Sequence, residues 1–252
     1  MNNSNKTQAG FFRTLWIILG TILYTANTCG QSILRGLTRT SNRKWVDLAL
    51  HHWVSRMFKL LRITCHVHNP LGIKPQPGTP TIIMCNHSSH FDIPISLCVF
   101  PNHPIRMLAK KEMARIPLMK QGMVAAEFPF IDRKNRRQAL LDLEYVRHLL
   151  SSGIVMWIAP EGTRSSDGHV QAFKKGAFIT AIQAKATIIP LGIRGAFNIL
   201  PARTWRFNLG QHAEIHVGKP IDASQFTIEN KDALIKEVRE AIRTLANDNK
   251  EV

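Results

Sequence analysis

The chain has 252 residues, of which 44% are hydrophobic and 20% are charged. Enough apolar surface is present to bury a core, which excludes a wholly disordered chain, a collagen-like rod and a protein with several clean membrane spans. The 33 Lys and Arg residues against 17 Asp and Glu residues give a formal net charge of +16, which favours polyanionic partners: anionic lipid headgroups, phosphorylated substrates, an acidic carrier protein or nucleic acid.

The first 61 residues predict two helices. Residues 11–24 form an apolar run interrupted by Arg13, and as a helix this run would reach about 21 Å, short of the ~30 Å hydrocarbon core of a bilayer. Residues 45–61 carry apolar and aromatic residues at helical spacing, and basic residues flank both stretches. This combination is typical of helices that lie in a membrane interface. We therefore expect residues 1–61 to be an N-terminal helical membrane-anchoring segment, with two core helices or a single membrane span as the alternatives.

The remainder of the chain alternates between strand-like and helix-like patterns. Helical periodicity covers residues 140–150, 173–184 and 231–246, whereas apolar or alternating runs indicate strands over residues 62–68, 81–85, 154–158, 187–193 and 212–217. Strands spaced by helices predict an α/β domain over residues 62–252, with a largely parallel or mixed central sheet flanked by helices.

A polar segment, Asn86-His-Ser-Ser-His-Phe-Asp92, follows the predicted strand 81–85, at the kind of sheet edge where functional sites gather in α/β folds. On one continuous helix His87 and Asp92 would point about 140° apart, so they can meet only if a turn intervenes, as Ser88-Ser89 allows. Asp92 could then orient the imidazole, and His87 could deprotonate a hydroxyl as a general base.

Three other interpretations of this segment stay open. His87, His90 and Asp92, with Cys85, are residue types that bind zinc, although no second cluster of ligands is evident in the sequence. A nucleophilic serine would favour a GxSxG elbow, which the sequence lacks. The polar residues could also simply cap a helix, and the short motif alone is a weak signal.

Further motifs follow in order along the chain. They read Lys110-Lys-Glu-Met-Ala-Arg-Ile-Pro117, Phe130-Ile-Asp-Arg133, Pro160-Glu-Gly-Thr-Arg-Ser165 and Ile188-Ile-Pro190. Together with the first segment, they make residues 81–220 resemble the lysophosphatidic acid acyltransferase (1-acylglycerol-3-phosphate O-acyltransferase) family of glycerolipid acyltransferases. Each motif alone is modest, but several in the right order are specific.

The resemblance implies an enzyme of phospholipid biosynthesis. His87 would take the proton from the free glycerol hydroxyl of lysophosphatidic acid, and the oxygen would attack the thioester of acyl-CoA or acyl-carrier protein to give phosphatidic acid. Asp92 would fix the tautomer of the imidazole. No acyl-enzyme, metal or cofactor is expected, because the acyl donor is itself a co-substrate.

The resemblance also implies which residues bind substrate. Arg164 would contact the phosphate of the acceptor, and Arg133 with one of Lys110 and Lys111 are further candidates for that anion. The complete expected set is Lys110, Lys111, Arg133, Glu161, Gly162, Thr163, Arg164 and Ser165. Arg133 could instead belong to a solvated basic run, and Glu161 could orient neighbouring loops.

The sequence departs from the family pattern on the acceptor side. Lys120 stands where the family usually has Gly, with Gly122 coming later, and Ala125–Pro129 replaces a Gly-rich approach to the next motif. Acylation of another lysophospholipid or of a lyso-aminolipid is therefore the alternative function. A basic nucleic-acid-binding protein is a remote alternative, since no binding module or interleaved aromatic residues accompany the charge.

Charge and the anchoring segment together predict association with an anionic membrane surface at the cytoplasmic face, which in a bacterium is the inner membrane. The four cysteines lack CxxC spacing, which favours reduced thiols on the cytosolic side. The expected partners are a lysophospholipid acceptor, the acyl donor and the membrane, without nucleic acid.

Overall fold

The computed structural model describes residues 7–132 and 134–248. Within these ranges the helices are α1 Phe11–Leu37, α2 Arg43–Leu61, α3 Asp92–Ser96, α4 Met119–Ala125, α5 Arg136–Ser151, α6 Lys175–Gln183, α7 Ala196–Ile199 and α8 Lys231–Ala246. The strands are β1 Thr7–Gln8, β2 Thr64–His68, β3 Thr81–Cys85, β4 Ile105–Met107, β5 Ala109–Lys110, β6 Phe130–Ile131, β7 Val155–Ile158, β8 Thr187–Arg194, β9 Asn208–Leu209, β10 His212–Val217 and β11 Ile221–Asp222. Two 3-10 helices cover Lys111–Arg115 and Ala223–Gln225.

The central sheet has the strand order β2-β10-β8-β3-β7-β4, with β11 added beside β8. Strands β3, β4, β7 and β8 are parallel to one another. Strand β10 runs antiparallel to β8 and carries β2 in parallel on its other side. The prediction of an α/β fold with a parallel or mixed sheet between helices is therefore confirmed.

Strand β3 shows why an unbroken apolar run predicts a central strand. Its side chains alternate between two hydrophobic cores because successive residues point to opposite faces of a sheet. Ile83 and Cys85 belong to the core beneath α2 and α3, whereas Ile82 and Met84 belong to the core beneath α5, α6 and α8. All five residues of β3 are buried, as expected for a strand that is covered on both faces.

Helix α1 is longer than the apolar run 11–24 predicts. It has 27 residues and therefore spans about 40 Å. The prediction stopped too early because polar residues begin at Thr25, but the hydroxyl groups of Thr21, Thr28 and Ser32 donate to carbonyl oxygens one turn earlier and stay compatible with the helix. Among the residues that the structure describes, α1 is the one helix long and apolar enough to cross a membrane.

The helices α1 and α2 pack against the rest of the chain and not only against each other. Gly122 of α4 lies so close to Cys29 of α1 that a Cβ atom at Gly122 would be 2.5 Å from the Cys29 Cβ. Helix α2 ends at Leu61, where Arg62 adopts a left-handed conformation and leads into β2. A separate unit ending at residue 61 stays a prediction.

Candidate active site

The polar segment after β3 is fixed to the neighbouring strand by Asn86. Its side chain donates from Nδ2 to the Ile193 carbonyl oxygen at 2.9 Å, and its Oδ1 accepts from the Ile193 N–H at 2.8 Å. This paired contact continues the β3–β8 ladder beyond Cys85, the last residue of β3. The chain therefore leaves the sheet from a fixed point, which positions the residue that follows, His87.

His87 and Asp92 are in contact. The distance from His87 Nδ1 to Asp92 Oδ2 is 2.7 Å, and the Asp92 side chain is completely buried while 16% of the His87 side chain is exposed. The ring of Trp157 lies edge-on to the imidazole, with the ring centroids 5.9 Å apart. Because Nδ1 is held by the carboxylate, Nε2 is the ring nitrogen available to a substrate.

A turn makes this contact possible, as the sequence predicts. Helix α3 begins only at Asp92, so the two residues do not share a helix. Asp92 Oδ2 also accepts hydrogen bonds from the backbone N–H groups of Ser88 and Ser89, at 2.7 and 2.8 Å. The carboxylate thus orders the turn and orients the imidazole with the same oxygen atom.

The loop 159–165, which contains the motif Pro160–Ser165, holds the backbone of His87 from both sides. The His87 N–H donates to Glu161 Oε1 at 2.8 Å, and the His87 carbonyl oxygen accepts from the Ser165 N–H at 2.7 Å. Two motifs that are more than 70 residues apart in sequence therefore form one unit. Glu161 is only 2% exposed, so it positions His87 and is not placed to contact substrate.

The carboxyl group of Glu161 holds its proton more tightly than an exposed glutamate does. Burial raises the pKa of its carboxyl to about 8, although the backbone N–H groups of His87 and Gln171 act in the opposite direction. A protonated Glu161 keeps a second negative charge away from Asp92, so that the aspartate is the one acidic group whose charge acts on the imidazole from this side.

This pKa predicts a pH-dependent stability. The folded state binds a proton at Glu161 more tightly than the unfolded chain, whose glutamates titrate near about 4.3, so stability falls as the pH rises from about 4.3 to about 8. The glutamine of Glu161→Gln cannot ionise. As the pH rises through that window, the free energy of unfolding of this variant should therefore increase relative to that of the wild type. Urea unfolding in one detergent at several pH values measures the difference. Glu237→Gln on the exposed face of α8 is the matched control, and parallel curves for Glu161→Gln and the wild type would contradict the prediction.

Basic residues surround the exposed side of the His87–Asp92 pair. Arg164 is half-buried. Burial is the main cause that lowers its pKa below the usual value, and the charge of Arg203 lowers it further, whereas the charge of Asp92 raises it. His90 follows His87 by three residues, and its side chain still has exposed surface. Partial removal from water and then the nearby charges of Arg164, His87 and Lys110 lower its pKa to about 4, against the charge of Asp92. The charges of Lys110 and Arg164 therefore act on His90, and the charges of Arg203 and Asp92 act on Arg164. In the described part of the chain, Arg164 makes no hydrogen bond or ion pair.

Arg203 was not predicted from the sequence. It lies in the loop after α7, in the segment Pro201-Ala-Arg-Thr-Trp-Arg206. The combination of basic residues with Trp205 was the available signal, but no motif marks it. Arg203 has a left-handed backbone conformation, with φ of 60°, which is uncommon for a residue with a side chain and often marks functional loops.

The other predicted substrate residues differ in where the structure places them. Lys111 is paired with Asp132, with 2.8 Å between Nζ and Oδ2. The buried Ser165 hydroxyl donates to Asp167 and accepts from the Gly168 N–H, so it stabilises its own loop. Thr163 is exposed, Gly162 turns the loop with φ of 74°, and Arg133 lies outside the described residues.

An apolar cavity adjoins this region. It has a volume of about 440 Å³ and lies between α1, α2, α3 and α4. His90 and Phe91, from the loop that carries His87, form part of its wall, and Trp205 lies at the same wall. Most of the remaining lining is aliphatic, aromatic or methionine, and α1 adds the hydroxyl groups of Thr21, Thr25, Thr28 and Ser32.

Known proteins are similar to this chain in sequence and in fold. The human 1-acyl-sn-glycerol-3-phosphate acyltransferase alpha is 28% identical over 197 residues, which cover 74% of this chain and 69% of the human protein. A Caenorhabditis elegans relative that carries the same activity in its name is 34% identical over 119 residues, which span 47% of this chain but only 42% of the relative. The crystal structure of PlsC, the 1-acyl-sn-glycerophosphate (LPA) acyltransferase from Thermotoga maritima, superposes with a TM-score of 0.76, at 26% identity, over 96% of both chains.

A match to a family model shows the family itself. The sequence model of the family described as Acyltransferase matches residues 64–194, which is more than half of the chain. That range begins at β2, ends with β8 and encloses both the His87–Asp92 pair and the loop that holds it. The motif resemblance is therefore confirmed, and this chain belongs to the acyltransferase family.

Proposed function

We propose that this acyltransferase moves a fatty acyl group from a thioester donor, acyl-CoA or acyl-carrier protein, to the free hydroxyl of lysophosphatidic acid, forming phosphatidic acid. The observation that carries the proposal is that the turn joining His87 to Asp92 also carries His90, which lines the apolar cavity and feels the charges of Arg164 and Lys110. The apolar cavity suits a hydrocarbon chain, and the cations suit a phosphate. The names of the human and Thermotoga maritima proteins support the same substrate.

In the proposed mechanism His87 acts as a general base. Its Nε2 takes the proton of the acceptor hydroxyl while the hydroxyl oxygen bonds to the thioester carbonyl carbon. Asp92 holds Nδ1 and stabilises the imidazolium that forms. When the C–S bond breaks, the imidazolium returns the proton to the thiolate, so the products are the ester and the free thiol. The reaction needs no acyl-enzyme, and orientation of two bound substrates accounts for much of the acceleration.

The cavity would hold the acyl chain. Its volume of about 440 Å³ falls in the range of ~300–1,000 Å³ that small-molecule pockets have. Its lining offers few groups that bind water tightly, so a hydrocarbon chain gains the full benefit of leaving water, about 0.8 kcal/mol for each methylene. His90 and Phe91 connect this wall to the loop of His87, which would bring the thioester to the base.

The cations would hold the phosphate of the acceptor. Arg164 offers a planar guanidinium suited to two parallel hydrogen bonds with phosphate, and Arg203 and Lys110 add positive charge. Arg164 and Lys110 belong to the set that the sequence predicts, and Arg203 is added to it. Lys111 is paired with Asp132, whereas Arg164 has no such partner within the described residues.

We also propose that α1 associates with an anionic membrane. Phe11, Phe12 and Trp16 expose 78%, 84% and 59% of their surface near the start of α1, where aromatic residues are typical of the membrane interface. The net charge of +16 favours an anionic leaflet. A donor chain bound beside α1 would then move between the cavity and the bilayer.

A purified-protein transfer assay tests the function. Labelled acyl-CoA, and in parallel labelled acyl-carrier protein, is offered with lysophosphatidic acid, lysophosphatidylglycerol or a lyso-aminolipid, and we expect label mainly in phosphatidic acid. Arg164→Ala should raise the KM for lysophosphatidic acid at least tenfold and change kcat less, because it removes a contact with the phosphate and not with the reacting atoms.

Controls separate the substrate from the chemistry. Lys175→Ala removes an exposed cation of α6 and should leave the KM for lysophosphatidic acid unchanged. Label mainly in another lipid, with Arg164→Ala without effect, would overturn lysophosphatidic acid as the acceptor and favour lipid remodelling. Absence of transfer to all three acceptors from either thioester donor would overturn the proposed function.

A further inference from the structure

Four histidines and one glutamate gather on one face of the edge strands β2 and β10. The two strands are parallel, with Glu214 opposite His66 and His216 opposite His68. Because side chains alternate along a strand, these residues share a face with His212. The residues between them, Cys65, Val67, Ala213 and Ile215, point into the hydrophobic core. The polar face is therefore the outer face of the sheet.

Glu214 is the centre of this group. Its Oε2 lies 3.0 Å from His216 Nε2, and its Oε1 lies 3.7 Å from His68 Nε2 and 3.8 Å from His212 Nε2. The rings of His68 and His216 are stacked, with their centroids 4.3 Å apart. The ligand atoms of His68, Glu214 and His216 all lie within 4.8 Å of one another. Nothing in the proposed acyl transfer uses these residues.

We propose that His68, Glu214 and His216 form a zinc site. Zinc binds two imidazoles and a carboxylate at about 2.0–2.2 Å in a tetrahedron, which places neighbouring ligand atoms roughly 3.3 Å apart. The observed distances of 3.0 and 3.7 Å lie on either side of that value. The two distances go to different carboxylate oxygens, and the stacked rings of His68 and His216 must rotate out of their parallel arrangement to point both Nε2 atoms at one ion. Water would be the fourth ligand.

Two details favour a ligand over a purely internal contact. His68 Nε2 is buried and has no hydrogen-bond partner among the described residues, although it faces Glu214. A metal ion would use that lone pair. Glu214 lies between the two histidines, with one carboxylate oxygen towards each of them, so a cation bound there would meet a carboxylate as well as two imidazoles.

The surroundings help to orient the group. Thr64 Oγ1 lies 2.9 Å from His212 Nδ1, which turns the other ring nitrogen of His212 towards Glu214 and provides a further imidazole beside the site. The cation Arg194 approaches Glu214 at 3.9 Å, but its Nε donates to the Leu245 carbonyl oxygen. Arg194 is thus anchored at the end of α8, and its ion pair with Glu214 is longer than the 3.0 Å contact that His216 makes with the same carboxylate oxygen.

The donor set selects the kind of metal. Imidazole with one carboxylate suits Zn²⁺, and also Co²⁺, Ni²⁺ and Cu²⁺, whereas Mg²⁺ prefers six oxygen ligands. A bound zinc ion would join β2, the edge strand that follows α2, to β10. The ion would stabilise the fold and not take part in the proposed reaction. The His87–Asp92 pair follows β3, and β2 and β10 lie at least two strands from β3 in the sheet order.

Zinc binding to the full-length protein tests the proposal. The protein is purified in detergent without a histidine tag, treated with a chelator and titrated with Zn²⁺ by calorimetry. We expect one Zn²⁺ per chain and a higher melting temperature, because an ion that binds only the folded state stabilises it. His216→Ala and Glu214→Gln should each weaken binding at least tenfold, which is about 1.4 kcal/mol.

The controls distinguish this site from nonspecific binding. Melting of the metal-free variants shows that they fold, and His148→Ala, which removes an exposed histidine of α5, should bind Zn²⁺ like the wild type. Equal affinity in the wild type, His216→Ala and Glu214→Gln would overturn the proposal. So would the absence of stoichiometric binding, or an equal rise in melting temperature with Mg²⁺.

Discussion

Replacing His87 with alanine or asparagine is expected to lower kcat about 10²–10⁴-fold, the usual contribution of a general base. Asparagine is the sharper replacement, because its amide can still donate to Asp92 Oδ2, the oxygen that His87 Nδ1 contacts at 2.7 Å. His87→Asn should therefore keep the melting temperature of the wild type and lose only the rate. Steady-state kinetics with saturating donor and acceptor, beside thermal unfolding, measure both.

Asp92 needs equal care in the choice of variant. Its Oδ2 accepts from the backbone of Ser88 and Ser89 as well as from His87, so Asp92→Ala would lose stability together with rate. Asp92→Asn keeps the shape but alters the tautomer of the imidazole, and its kcat should also fall. His148→Ala on α5 is the histidine control. Turnover of His87→Asn within a few-fold of the wild type would contradict a base at this position.

The second large effect is expected on stability. Asp47→Ala should lower the free energy of unfolding by about 3–5 kcal/mol, because it leaves a buried charge without its partner. Arg106 is completely buried on β4, and its Nη1 contacts Asp47 Oδ1 of α2 at 2.7 Å. The same guanidinium donates from Nε to the Ala126 carbonyl oxygen and lies over the ring of Phe128. Urea unfolding in detergent measures the change.

A double replacement separates charge from packing. Arg106→Met combined with Asp47→Ala removes both charges and should recover most of the stability that Asp47→Ala loses, because well-packed apolar residues often replace a buried ion pair without loss. Glu112→Gln breaks the exposed pair with Lys134 and should leave unfolding unchanged. Asp47→Ala with wild-type stability would show that Arg106 finds another partner or water.

Strong local patterns explain what could be predicted from the sequence. Strands β3, β7, β8 and β10 are apolar or strictly alternating runs, and each lies where the pattern indicates. Residues five positions apart point about 140° apart on one helix, so a contact between His87 and Asp92 requires a turn between them. The intervening turn, ordered by Ser88 and Ser89, then follows from geometry.

The elements around the acceptor side could not be predicted in the same way. Strands β4, β5 and β6 have only two or three residues each, too few to show a period. Helix α4 depends on Gly122, a poor helix former, and is stabilised by its close packing on Cys29. Tertiary contacts, and not local preference, fix these elements.

The direction in which a motif residue points was likewise hidden. In the motif Pro160–Ser165 the sequence predicts a phosphate contact for Arg164, and it leaves open whether Glu161 binds substrate or orients neighbouring loops. The structure turns Glu161 and Ser165 inward to hold the backbone and leaves Arg164 facing the region of His90. Burial decides between these roles, and burial depends on residues such as Asn86 and Gln171 that lie elsewhere in the chain.

Helix α1 packs against α4 and also lines the apolar cavity. Ile18, Ile22 and Cys29 of α1 form part of the cavity wall, and Cys29 contacts Gly122 on the opposite side. A shortened protein without residues 1–37 would therefore lose one wall of the apolar cavity. Under the proposed function, an unrelated membrane anchor could not replace α1, because the same helix would serve both membrane association and binding of the acyl chain.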